Sequence, residues 1–209
     1  MNAKTISKKN QVNQVNIFKQ DETAKRAELI GQGLKAHSWK DLETAGKFTK
    51  NEKISFISDS MLIVGCDIGS ETHYIRAIDM RGREISKKAF AFSNDSEGFA
   101  SAKAWMLELA AVSGKDQIVV GLEPTGHYWF CIAAWLVSNG ISVVQVNPYA
   151  VKQTKEVEDN SQLKDDRKDP KLIANLVKDG NYGMPYLPEG VYAELRRLTL
   201  FRDQLTEDR

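Results

Sequence analysis

Four acidic residues are spaced so that their carboxylates could act together. Asp67 and Glu123 each follow a short apolar run that is typical of a buried strand. Asp166 and Asp169 lie three residues apart, which places both on one face if the segment is helical. Carboxylates that converge at strand ends repel one another strongly unless divalent cations lie between them. The pattern therefore predicts a metal site built from acids.

The chemistry of such a site follows from its ligands. Hard oxygen donors favour Mg²⁺ or Mn²⁺. Two such ions would activate a nucleophile and stabilise the leaving oxygen of a phosphodiester. Each acid alone is more typical of a helix cap or a solvated charge, and the acidic run at 165–169 is typical of an exposed helix start. The residues 67–70 also resemble the phosphate turn of actin-like kinases, although a second glycine-rich loop is lacking.

The elements that must position these acids form an alternating α/β pattern. Asn94 and Glu97 resemble a capping box that opens a helix to about Val112, and Gly114 ends it. Further helices are predicted over 128–138 and around the apolar stripe of Leu172, Ile173, Leu176 and Val177. Strands are predicted over 61–66, 74–79, 84–92, 117–122 and 141–146.

This order of strands and helices predicts a mixed sheet with flanking helices, the arrangement of the ribonuclease H-like (RuvC-like) fold. The first and fourth strands are neighbours in that fold. We therefore expect Asp67 and Glu123 to face each other at the carboxyl ends of adjacent strands, where open α/β sheets place their chemistry.

The chain divides into three parts. Residues 1–53 form a polar, partly disordered leader with little core of its own, although residues 22–34 could form a short helix. Residues 54–183 form the α/β domain. Residues 184–209 form a linker and the start of a coiled-coil helix, whose seam is Leu195, Leu198, Phe201 and Leu205.

Composition limits the classes of protein further. The 29 Lys and Arg nearly balance the 28 Asp and Glu, so nucleic acid would have to be bound by local basic patches. Cys66 and Cys131 lie in apolar runs and are expected to be buried free thiols of a reducing cytosol. No apolar run approaches the roughly 20 residues that span a bilayer, and no signal peptide is evident. We expect a soluble cytoplasmic protein.

Four motifs together resemble one known family. They are CDIGSETHY at 66–74, GLEPTGHYW at 121–129, VNP at 146–148 and KDDRKDPKLIA at 164–174. In this order they are similar to the insertion-sequence one-ten family of DEDD transposases, over about residues 54–209. The resemblance covers that family's RuvC-like amino-terminal domain and the start of its coiled coil.

The resemblance implies a function and a set of partners. Asp67, Glu123, Asp166 and Asp169 would correspond to the family's catalytic, metal-binding tetrad, holding two Mg²⁺ or Mn²⁺ ions. The protein would cleave and transfer DNA strands during transposition of an insertion sequence, on the element ends and the target, directed by a structured guide RNA. It would assemble as a homo-oligomer through the coiled coil, in the cytoplasm of a bacterium or archaeon and without a membrane.

The sequence departs from the family pattern in two places. The family continues into a carboxyl-terminal domain with a nucleophilic serine, which this sequence lacks, so we expect it to be the front part of an enzyme and incomplete alone. Pro170 also follows Asp169 where the family usually has alanine. Since proline suits the first helical position, Asp169 could be an N-cap, which would compete with metal binding.

Other assignments stay open at this point. Six basic residues could hold phosphates or could equally neutralise nearby acids: Lys152, Lys155, Lys164, Arg167, Lys168 and Lys171. His127, Tyr128 and Trp129 are more typical of core aromatics than of base-stacking residues. The alternatives in function are a RuvC-type Holliday-junction nuclease and a truncated, non-catalytic fragment that binds nucleic acid or assembles with an intact copy.

Overall fold

A computed structural model describes residues 20–35, 42, 44–124, 126–158, 169–187 and 190–207. The strands are β1 (Met61–Asp67), β2 (Thr72–Ile78), β3 (Phe90–Ser93), β4 (Gln117–Leu122) and β5 (Ser142–Gln145). The helices are α1 (20–35), α2 (Lys50–Phe56), α3 (Ser96–Ser113), α4 (Trp129–Ser138), α5 (Pro148–Glu158), α6 (Asp169–Lys178) and α7 (Val191–Glu207).

The five strands form one mixed sheet in the order β3-β2-β1-β4-β5. β1 pairs antiparallel with β2 and parallel with β4, and β5 extends the parallel half. Helices cover both faces, as in the ribonuclease H-like fold, so the predicted fold class is confirmed. The neighbouring positions of the first and fourth strands are confirmed with it.

Two cores lie on opposite faces of the sheet because strand side chains alternate. Leu62, Val64 and Cys66 of β1 point to the core shared with α3 and α4. Met61 and Ile63 point to the other core, which contains the predicted stripe of α6: Leu172, Ile173, Leu176 and Val177. β1 is therefore buried on both faces, which explains its unbroken apolar run.

The packing of α6 on the sheet requires a glycine in β1. A Cβ atom at Gly65 would lie 1.9 Å from the carbonyl oxygen of Pro170 and 2.5 Å from the amide nitrogen of Ala174. In the neighbouring strand, a Cβ at Gly121 would lie 2.4 Å from Cγ2 of Val177. The first turn of α6 thus rests on the carboxyl half of β1, at backbone distance.

The leader contributes more to the core than the sequence predicted. Ile30 and Leu34 of α1 are fully buried together with residues of α6 and the sheet. α2, which the sequence did not predict, begins with a capping box in which Thr49 and Glu52 satisfy each other's backbone amides. Arg26 of α1 donates to Glu52 at 2.9 Å, which ties the two helices together.

Three local predictions were wrong. The third strand is Phe90–Ser93 rather than 84–92, because Glu84 forms only an isolated bridge with Ile78 before the chain turns. The cap of α3 is Asp95, which accepts from the amide of Gly98 at 2.7 Å, and not Asn94. Cys66 is a buried free thiol as predicted, but Cys131 is exposed.

The last helix has an exposed apolar stripe. Leu195, Leu198 and Phe201, three of the four predicted seam residues, are 54%, 61% and 57% exposed on α7. Whether they form a coiled coil stays a prediction. No helix in the described ranges is long and apolar enough to cross a membrane.

We predict that Gly65→Ala destabilises the protein by more than the about 1–3 kcal/mol typical of overpacking, because the new methyl group meets backbone atoms that cannot rotate away. The matched control is Gly183→Ala, where a Cβ has no heavy atom within 4 Å. Urea denaturation of both variants measures the difference. Equal stability of the two variants would contradict the close approach of α6.

Candidate functional site

The carboxyl ends of β1 and β4 bring two of the predicted acids to adjacent positions. Asp67 is the last residue of β1, and Glu123 directly follows β4. The parallel strands are in register up to the pair of Cys66 with Leu122, so the two acids occupy the next positions of that register. Neighbouring strands lie about 4.8 Å apart. Both acids are half-buried at one edge of the sheet.

The start of α6 lies on the same face as these acids. Asp67 shares its face of β1 with Gly65, on which the carbonyl of Pro170 rests. The helix therefore begins near the carboxyl end of the strand. This places the backbone of Asp169, its first residue, near the edge that carries Asp67 and Glu123.

The other half of the predicted tetrad is described only in part. Asp166 lies outside the described residues, and of Asp169 only the backbone position in α6 is described. The described ranges contain no group of three or more His, Cys, Asp or Glu side chains that could hold a metal ion. The four-acid site therefore stays a prediction. The structure describes the surroundings of only two of its acids, Asp67 and Glu123.

A buried histidine fixes the turn that follows Asp67, and the sequence did not single it out. His73 is fully buried in β2, and its Nδ1 accepts a hydrogen bond from the amide of Gly69 at 3.2 Å. Its ring packs against Phe92 and Phe99, with centroids 5.2 and 6.1 Å away. A histidine six residues after the acid, flanked by strand residues, was the available signal.

Asn94 holds the same turn from the other side. Its side-chain amide donates to the carbonyl of Ser70 at 3.0 Å, and its backbone amide donates to Glu71 at 2.8 Å. His73 Nε2 and Asn94 Oδ1 are buried without a hydrogen-bond partner among the described residues. Burial lowers the pKa of His73, with Asn94 opposing the shift, so the ring is neutral at pH 7.

The predicted phosphate-binding cations have different settings. Lys152 is exposed and Lys155 is half-buried, both on α5 after β5. Lys171 forms an ion pair with Glu84, and this contact lowers the pKa of Glu84 despite the opposing effect of burial. Lys171 thus neutralises Glu84 in this structure, and its phosphate contact stays a prediction. The remaining three lie outside the described residues: Lys164, Arg167 and Lys168.

The aromatic residues after Glu123 divide between core and surface. Trp129 is 5% exposed and belongs to the core, as predicted. His127 and Tyr128 are exposed instead, and their ring centroids lie 4.4 Å apart. The prediction of core aromatics was wrong for these two, because α4 begins only at Trp129 and both precede its buried face.

Comparison with known proteins assigns the family. Residues 64–209 match the model of the DEDD transposase family of the insertion-sequence one-ten type, described as "Transposase". The chain belongs to this family. The match begins within β1 and includes all four predicted acids.

A curated relative agrees with this membership. The y4uE protein of Sinorhizobium fredii (strain NBRC 101917 / NGR234), a candidate transposase by its name, is 25% identical over 148 residues. The alignment covers 69% of this chain but 40% of the relative. The chain thus spans less than half the length of that relative.

DEDD transposases use divalent metal ions, and the donors described here fit that requirement. Asp67 and Glu123 offer hard oxygen ligands, and Mg²⁺ is usually bound by one or two carboxylates together with water and substrate phosphate. The neighbouring Cys66 does not compete with these acids as a metal ligand. Burial and the charge of Asp67 raise the pKa of its thiol, which disfavours the thiolate that would bind a metal. A hard cation therefore suits this edge of the sheet better than a soft one.

Acidification from pH 7 to pH 5.5 should destabilise the protein through His73. The unfolded state takes up a proton near pH 6.5, whereas the folded state takes one up only at lower pH, so the unfolded state binds more protons in this range. The melting temperature should fall with pH in the wild-type protein and in the His127→Gln control. It should fall less in His73→Phe. An equal pH dependence of all three would contradict a buried neutral His73.

Proposed function

We propose that this chain is the amino-terminal catalytic domain of a transposase that cleaves and transfers DNA strands with the help of divalent metal ions. The observation that carries the proposal is the adjacent placement of Asp67 and Glu123 at the ends of two buried parallel strands, on the face where α6 begins. Membership of the DEDD transposase family supports the assignment of the reaction.

In this proposal Asp67 and Glu123 bind the metal through their carboxylate oxygens. Asp166 and Asp169 complete the site from the segment that leads into α6. Mg²⁺ or Mn²⁺, as two ions, would supply activation of the attacking oxygen and stabilisation of the leaving oxygen of the phosphodiester. The sheet's part is to hold its two acids on strands whose interior is buried, so that little reorganisation is needed when DNA binds.

The chain's own residues also set the surroundings of the reaction. The hydrogen bonds of His73 and Asn94 hold residues 69–71 in place. They thereby fix the course of the backbone immediately after Asp67. The first turn of α6 presents backbone amides and the positive end of its dipole to this edge, which offsets part of the repulsion between the acids. Lys152, exposed on α5, would contact phosphates of the DNA, and Lys155 lies one turn further along the same helix.

The proposed partners follow from the family. They are the DNA of the element ends and the target, a structured guide RNA, and further copies of the chain. Self-association is assigned to α7, because its stripe of Leu195, Leu198 and Phe201 is exposed and recurs every three residues, close to the helical period. A cytoplasmic location is part of the same proposal.

Metal binding can be tested with Glu123→Gln, which removes one charged ligand and preserves the size of the side chain. We expect Mn²⁺ or Mg²⁺ to raise the melting temperature of the wild-type chain, since saturation at 100 times the dissociation constant adds about 2.7 kcal/mol of stability. Glu123→Gln should lose this increase, measured by calorimetry and isothermal titration.

The matched control for this experiment is Glu108→Gln, an exposed acid on α3 that should keep the metal response of the wild type. A full metal response in Glu123→Gln would refute the site. Metal-dependent cutting of branched DNA by this chain alone, without RNA, would favour a junction nuclease over a transposase.

Self-association can be tested by placing a charge on the stripe of α7. Leu198→Asp should shift the protein towards monomer, because an unpaired carboxylate is costly in an apolar helix interface. Thr199→Asp adds the same charge one residue further along the exposed helix and should leave the assembly unchanged. Light scattering after size-exclusion chromatography gives the masses. If Leu198→Asp and Thr199→Asp had the same mass in solution, α7 would not form the interface between copies.

A further inference from the structure

The loop after Glu123 presents two aromatic rings to solvent, four and five residues after that acid along the chain. His127 is exposed and Tyr128 is 36% exposed, whereas the next residue, Trp129, is buried. Leaving aromatic surface in water forfeits part of the roughly 1.5–3 kcal/mol that burial of a large side chain provides. The fold thus leaves part of both rings open to a ligand.

The geometry of the turn holds the rings together. Gly126 has a φ of +56°, which a residue with a side chain rarely adopts, and the turn places the rings of His127 and Tyr128 4.4 Å apart at 35°. Atom Cδ2 of Tyr128 lies 3.6 Å from the position that a Cβ of Gly126 would occupy. Tyr128 is also the N-cap residue of α4, whose next residue is anchored in the core. The ring pair is therefore attached to a fixed backbone.

A third exposed ring belongs to the same edge of the sheet. Tyr149, 65% exposed, lies in the first turn of α5, which follows β5. The parallel pairing of β4 and β5 brings the segments that follow them to the edge that carries Glu123. The amide of Tyr149 donates to Asn147 at 2.9 Å, and Lys152 is exposed on the next turn. Aromatic rings and a cation thus accompany the acids.

Aromatic rings with neighbouring cations are the means by which proteins hold unpaired nucleotides. Each ring stacks on a base, and cations contact the phosphates between bases. Inside a duplex the faces of the bases are already stacked, so an exposed ring can use them only when a base leaves the helix. His127 and Tyr128 follow Glu123 by only four and five residues, so a base stacked on them would belong to DNA held close to the proposed site of cleavage.

We propose that His127 and Tyr128 form a stacking platform for an unpaired base of the DNA strand next to the phosphodiester that is cleaved. This inference rests on the proposed function. It adds a requirement for locally single-stranded DNA at the point of cleavage, and it assigns the discrimination between single-stranded and duplex DNA to the turn after Glu123.

The test measures binding of the 209-residue chain to a single-stranded DNA that carries 2-aminopurine, in EDTA so that neither metal nor cleavage contributes. Wild-type protein should bind it more tightly than the same sequence as a duplex and should quench its fluorescence. Tyr128→Ala should weaken binding about 5- to 150-fold and abolish the quenching, whereas Tyr128→Phe should keep both.

Two controls separate stacking from other effects. Tyr186→Ala removes an exposed tyrosine that lines a different cleft, with Leu42 and Phe48, and should bind as the wild type does. Thermal melts of each variant establish that it is folded. Unchanged affinity and quenching in Tyr128→Ala, equal binding of duplex and single strand, no binding by the wild type, or preference for RNA of the same sequence would each overturn the proposal.

Glu123→Gln distinguishes the failure of this proposal from the failure of the proposed function. That variant should still quench 2-aminopurine in EDTA while it loses the metal response. If Glu123→Gln keeps its metal response and Tyr128→Ala loses stacking, the metal site is refuted, and the stacking of a base on this turn stands without its place beside a cleaved phosphodiester. If Glu123→Gln loses its metal response and Tyr128→Ala stacks normally, the platform alone is refuted.

Discussion

The contact between the first turn of α6 and Gly65 is the constraint on which the rest of the site depends. The carbonyl of Pro170 occupies the space that a side chain at residue 65 would fill. Any larger residue would have to push the helix off the sheet, together with the buried stripe of Ile173 and Val177. Because interiors are packed as densely as organic crystals, such a displacement could not remain local. One glycine thereby sets the distance between the helix that carries Asp169 and the strand that carries Asp67.

Burial of the strands that carry them fixes where the two described acids lie. β1 is fully buried up to Cys66, and the last four residues of β4 are buried as well. The close contact of Gly65 with α6 fixes the register of β1, since a slip by one residue would bring a larger side chain against the carbonyl of Pro170. The cost of holding two negative charges about one strand spacing apart is then met by the packing of the whole sheet. A cation between them would lower that cost, so burial and the proposed metal binding support each other.

The sequence predicted the parts whose signals are local. Continuous apolar runs that end at an acid located β1 and β4, and Gly114 marked the end of α3. Signals that depend on tertiary partners failed. α2 has seven residues, too few to show a period, and the exposure of Cys131 depends on which side of an almost wholly apolar helix the rest of the chain covers. The role of His73 was missed because the sequence shows its place after Asp67 but not its burial or its hydrogen bond to Gly69.

The site combines elements of different rigidity, and this division matches what each would have to do. Asp67 and Glu123 end strands that are packed on both faces, which suits metal ligands that must be placed to within about 0.5 Å. His127 and Tyr128 lie on an exposed turn, where rings can adjust to a base without disturbing the sheet. The turn is nevertheless tied to the core by Trp129 immediately after it. The residues that would hold the nucleotide follow Glu123 by only four and five positions. Binding of the base and binding of the metal would therefore both depend on this one short segment.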